Sequence, residues 1–160
     1  MFCYQCEQTF KGTGCTIQGV CGKKPEVAAL QDLLIYTLAG LSKVAVDARK
    51  QQAVDEKIGI FTLKASFSTL TNVDFDPDRF ADLIHEAVQL RDDLKKQLKD
   101  AGSTVQYSDP ATTLKPGSTM EELIKQGEAV GIKTYPADDP DILSLKHTVS
   151  YGIKGVSAYA

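Results

Sequence analysis

The chain has 160 residues, of which 42% are hydrophobic and 24% charged, enough apolar material for a core and too much for wholesale disorder. With 21 acidic against 18 basic side chains the net charge is −3, so no cationic surplus exists to neutralise nucleic acid or an anionic membrane, and small substrates and proteins remain as partners. The amino terminus MFCYQCEQ has neither a basic nor an apolar leader region, and Lys, Asp or Gln breaks each apolar run, which predicts a cytoplasmic chain without a membrane span.

The first 25 residues form a unit of their own. All 4 cysteines, Cys3, Cys6, Cys15 and Cys21, lie within it at the spacing C-x2-C-x8-C-x5-C, interleaved with Gly12, Gly14, Gly19 and Gly22. Glycine lets a short loop wrap closely and turn backbone N–H groups toward sulfur, as a thiolate-ligated centre requires. Three chemistries suit such a set. Disulfides fit poorly in a chain without an export signal. Structural zinc favours two similar CxxC knuckles, and only Cys3 and Cys6 have that form. An iron–sulfur cluster tolerates irregular spacing and is the favoured reading, with [4Fe–4S] and [2Fe–2S] both open on the residues alone. A c-type haem is not expected, since no C-x-x-C-H occurs.

From residue 26 to 160 the pattern is helical and predicts an all-α domain. Val27, Leu30, Leu34, Leu38, Leu41, Val44 and Ala48 recur at steps of three and four, predicting a helix over 26–48. A second helix over 53–70 places Ile58, Phe61, Ala65 and Phe67 or Ser68 inward, although its β-branched content weakens the signal. A third over 77–100 carries Phe80, Ile84, Ala87, Leu90 or Arg91, Leu94 and Leu98, opening on Asp76-Pro77 and ending before Gly102. Residues 103–118 read as a loop. Ser118 and Glu121 suggest a capping box for a short fourth helix that Gly131 closes. The last helix starts at Asp139-Pro140 and runs through Ile142, Leu145, Val149, Ile153 and Val156 to Ala160, still apolar at its end, so a longer natural chain or a covering partner is expected.

MFCYQCEQT, GTGCTIQGVCGK, LQDLLIYTLAGL, TLTNVDFDPDRF and YGIKGVSAYA together resemble the amino-terminal part of the hybrid cluster protein, or hydroxylamine reductase, family, over essentially all 160 residues. The cysteine spacing is similar to that of the anaerobe-type members. The resemblance therefore implies a [4Fe–4S] cluster held by Cys3, Cys6, Cys15 and Cys21, and a fold of two packed three-helix bundles. It further implies reduction of hydroxylamine to ammonia and water, with nitric oxide reduction also proposed for the family, in a longer protein whose carboxy-terminal domains hold a hybrid iron–sulfur–oxygen cluster. This chain has no thiol after Cys21, so it carries no catalytic residue of that kind. It reads as an electron-transfer part that takes electrons from a redox donor protein. The alternatives are a helical interaction module with a structural four-cysteine zinc site, or a short assembly or regulatory paralogue.

Other motifs have simpler explanations. Asp74, Asp76 and Asp78 imitate a calcium loop, but Arg79 and His85 replace its Gly and Glu, so helix capping is expected, as it is for Asp138 to Asp141. His85 and His147 are lone imidazoles, and Gly12-Thr13-Gly14 lacks a nucleotide-binding continuation. Lys95, Lys96 and Lys99 read as solvated surface, with docking of an acidic redox partner as the alternative. Phe2 and Tyr4 flank the first cysteine, where they either shield a cluster or simply pack.

Overall fold

A proline at the first helical position loses no hydrogen bond, and four of the helices begin this way. The computed structural model describes residues 1–53, 55–131 and 139–160. Its helices are α1 (Pro25–Lys50), α2 (Glu56–Ser68), α3 (Pro77–Asp100), α4 (Pro110–Thr113), α5 (Met120–Ala129) and α6 (Pro140–Val156), with a single 3-10 turn at Phe10–Gly12 before them. The all-α expectation holds, with no strand among the described residues.

Helix α1 is the centre. All seven residues of its expected stripe, Val27 to Ala48, are buried, and α3, α4 and α5 pack around it. Among the described residues it is the one helix long and apolar enough to cross a membrane, and most of that length is covered by protein. Phe80, Ile84, Ala87, Leu94 and Leu98 of α3 close the main core with Phe61 of α2 and Leu123 of α5. Helices α1, α3 and α5 thus form one group, while α2 also touches α6 and so joins that helix to the rest.

Two close backbone approaches define the first group. A Cβ at Gly127 would lie 2.0 Å from the Ala29 carbonyl oxygen, and one at Gly40 would lie 2.0 Å from that of Ala111. Between them α4 and α5 are held directly against α1.

Three details differ from the sequence expectation. The segment 103–118 contains the one-turn helix α4, capped by Asp109, which accepts from the Ala111 N–H at 2.9 Å. It is anchored by Arg91, whose buried guanidinium donates to the carbonyls of Ala111 at 3.1 Å and Leu114 at 2.8 Å. The capping box of α5 is Thr119 with Glu122, one residue beyond Ser118 and Glu121; the burial of Leu123 against α1 selects this register. Finally, α6 ends at Val156, and its apolar stripe faces outward: Leu145 and Val149 are more than 60% exposed, whereas His147 and Lys154 are buried.

Candidate metal centre

The amino-terminal loop folds back on itself before α1 begins. Cys3 and Cys15 pair as an isolated antiparallel bridge, Cys3 N–H to Cys15 O at 3.1 Å and Cys15 N–H to Cys3 O at 2.8 Å. Thr9 ties the crossover, donating its hydroxyl to the Cys3 carbonyl at 3.0 Å, with the same oxygen 4.0 Å from Cys15 Sγ. Cys6 precedes this crossover in a turn closed by the Thr9 N–H on the Cys6 carbonyl at 3.2 Å. Cys21, which is exposed, sits in a second turn, in which the Gly22 N–H donates to Gly19 O at 2.9 Å and the Gly19 N–H to Lys23 O at 2.8 Å.

The glycines have specific tasks here. Gly14 has φ +149°, and a Cβ there would stand 2.3 Å from Cε2 of Phe2, so its missing side chain admits the Phe2 ring against the loop. A Cβ on Gly19 would stand 3.0 Å from both Cys21 Sγ and Lys23 Cβ, so the turn that carries Cys21 closes only around a bare backbone.

The electrostatics favour thiolate at the buried member of the set. The backbone amides of Val20 and Phe10 lower the Cys15 thiol below its ordinary value, aided by the Thr9 hydroxyl and the positive charge of Lys23 against the opposing effect of burial. Amide hydrogen bonds onto sulfur are the arrangement that stabilises a ligated thiolate. Among the described residues no three His, Cys, Asp or Glu side chains stand close enough together to hold one metal ion. An iron–sulfur core is larger than one ion and separates its ligands further. The donor set fits such a core: four thiols, the least exposed of them already surrounded by hydrogen-bond donors.

Behind Cys3 lies a cavity of about 530 Å³ between the loop, α1 and α6, lined by Phe2, Cys3, Lys23, Gln31, His147 and Lys154 among others. Tyr4 and His147 share a hydrogen bond through the Tyr4 hydroxyl and Nδ1, and the Tyr4, His147 and Tyr151 rings pack with centroids 5.6 to 6.3 Å apart. His147 thus holds the loop to α6, and burial lowers its basicity. Two lysines are buried in this wall. Lys23, 1% exposed, donates to Gln31 Oε1, whose amide nitrogen donates to the Asp74 carbonyl at 3.1 Å. Lys154, 5% exposed, lies 3.5 Å from the Thr69 carbonyl oxygen. Burial pushes Lys154 down to about 8. Sequence reasoning missed both, since lysine is ordinarily read as surface, and only the end of α6 turning inward reveals Lys154.

The remaining motifs take the simpler roles. Asp76 caps α3 by accepting from the Asp78 and Arg79 amides, Asp74 pairs with Arg79 at 3.1 Å, and Asp139 caps α6. Asp138 lies outside the described residues. His85 is exposed. Lys96 and Lys99 are solvated as expected, but Lys95 is partly buried, bonded to the Thr112 carbonyl and 5.3 Å from the Tyr107 ring centroid, so it braces α4.

Fold and loop together define an all-helical domain behind an amino-terminal loop that carries four free cysteines. A family model described as Prismane/CO dehydrogenase family matches residues 1–160, and the chain belongs to that family. It is 56% identical over 160 residues to the hydroxylamine reductase of Syntrophobacter fumaroxidans, covering 100% of this chain and 30% of that protein. It is 55% identical over 161 residues to the hydroxylamine reductase of Methanocella arvoryzae, with the same coverage. At greater distance it is 43% identical over 162 residues to that of Trichormus variabilis, again across 100% of this chain and 30% of the relative. The chain therefore spans about 30% of the length of these relatives.

Proposed function

We propose that this chain is the electron-accepting domain of a hydroxylamine reductase, holding a [4Fe–4S] cluster on Cys3, Cys6, Cys15 and Cys21. The observation that carries the reading is the loop itself: a Cys3–Cys15 bridge, with the amides of Val20 and Phe10 at the Cys15 sulfur and Cys21 on a glycine turn. The names of the relatives supply the reaction, and the cysteine content divides the labour. Hydroxylamine takes up two electrons and two protons to give ammonia and water. No thiol follows Cys21, so the ligands of a second, hybrid cluster belong to the part of the relatives that this chain does not span.

Bound in this loop, the cluster supplies one-electron transfer. The protein's own groups hold the thiolates, exclude water on the Phe2 side and leave Cys21 exposed, so a redox donor protein can approach closely. The working location is the cytoplasm. The test is anaerobic reduction of the reconstituted chain by dithionite. A visible absorption that bleaches on reduction and returns on oxidation is expected, and Cys15→Ser is expected to lose most of it. A spectrum that is silent in the visible in the wild-type chain overturns the reading.

A further inference from the structure

The wall behind Cys3 contains two positive charges whose burial the helical core does not require. Lys23 and Lys154 are the two lysines in the buried polar set, and neither forms an ion pair with a carboxylate among the described residues. Their hydrogen-bond acceptors are neutral, an amide oxygen for Lys23 and a backbone carbonyl for Lys154. A buried ammonium with no carboxylate in hydrogen-bond reach is costly, and such groups persist where an anion nearby compensates them; for Lys154 the Asp32 carboxylate is one such charge and Cys3 a second. Both lysines share the cavity wall with Cys3, together with Asp32 and Lys146, so among the described residues the wall keeps a cationic excess even with that carboxylate counted. Lys23 is also two residues from Cys21, with its Cβ packed against the Gly19 turn that carries this cysteine.

We propose that Lys23 and Lys154 are the fixed counter-charges of the four-cysteine centre, placed to raise its reduction potential by stabilising the extra electron. The inference rests on the cluster reading above. Adding an electron to a thiolate-ligated cluster adds one negative charge beside two cations in a poorly solvated wall, where Coulomb interactions are much stronger than in water. The electrostatics of the wall carry the same sign: Lys23 favours thiolate at Cys15, and against burial the charged form of Lys154 is favoured first by Asp32 and then, after the opposing charge of Lys23, by Cys3. With its basicity lowered only to about 8, Lys154 is a cation at pH 7.

The experiment is a spectroelectrochemical titration at pH 7 of the anaerobically reconstituted chain, comparing wild type, Lys154→Met, Lys154→Arg and Lys23→Met, with iron and sulfide counted on each sample. Removing either charge is expected to lower the ratio of reduced to oxidised centre at fixed potential by about tenfold, which for one electron is about 59 mV. Lys154→Arg, which keeps the charge, is expected to stay near wild type. A structural role alone lowers iron content or thermal stability and leaves the midpoint of the loaded fraction where it was. Equal midpoints in wild type and both Met variants at equal iron and sulfide overturn the inference while leaving the cluster reading intact. Failure of the wild-type chain to take up iron and sulfide overturns the cluster reading itself, and the inference with it.

Discussion

Gly127 offers the most direct check of the packing of α5 on α1. Changing it to Ala places a methyl carbon 2.0 Å from the oxygen, 2.5 Å from the carbon and 3.1 Å from Cα of Ala29. These are backbone atoms of α1, so no rotamer change relieves the clash; α5 must move outward by more than 1 Å, since ordinary contact begins at 3.4 Å. Overpacking of this kind costs about 1 to 3 kcal/mol, and lies at the upper end here because two helices must separate. Alanine returns up to about 1 kcal/mol of helix propensity relative to glycine, leaving a net loss of about 1 to 2 kcal/mol. Gly59 in α2 is the internal control, because nothing lies within 4 Å of its added Cβ, and Gly59→Ala is expected to gain about 0.5 to 1 kcal/mol. Urea unfolding followed by circular dichroism measures both. Equal midpoint shifts of the same sign for the two variants would refute the close α1–α5 approach.

Three further outcomes are expected. Arg91→Met removes the donors to Ala111 and Leu114 and frees α4, costing about 2 to 4 kcal/mol in the same unfolding assay. Thr119→Ala removes half the capping box and costs about 1 kcal/mol, whereas Ser118→Ala costs little; reversed effects would restore the earlier register. Lys154 has a folded-state pKa of about 8 against 10.5 unfolded, so between those values the unfolded chain binds more protons and stability rises with pH. In the cluster-free chain, Lys154→Met is therefore expected to be more stable than wild type below pH 8, with the difference shrinking toward pH 10.5. A difference independent of pH contradicts the assigned burial.

The sequence was most informative where one physical rule acted alone. The stripes of α1 and α3 follow from apolar residues at helical spacing, and the Asp-Pro pairs at Asp76 and Asp139 mark helix starts because capping and the missing proline N–H coincide. The same pair at Asp109-Pro110 opens α4, yet four residues show no periodicity, and its position depends on Arg91 some 20 residues away. In STMEE two capping registers overlap, and only packing of Leu123 on α1 separates them. The cysteine spacing pointed to one amino-terminal loop, and the need for glycine between the thiols was legible there, as Gly14 and Gly19 show. What stayed hidden was the wall behind the loop: Tyr4 meets His147 across 143 residues of chain, and α6 turns Lys154 inward while its apolar stripe stays exposed. Helical periodicity alone assigns those faces the other way round.

Everything proposed for the redox role depends on four amino-terminal thiolates holding an iron–sulfur cluster. That ligation is tested most directly by counting iron, acid-labile sulfide and zinc per chain in protein purified without oxygen, since a vacated thiol site readily oxidises or takes up zinc. About four iron and four sulfide per chain with a broad visible absorption are expected. About one zinc with no sulfide would contradict the cluster reading and make the loop a structural staple on a helical interaction module.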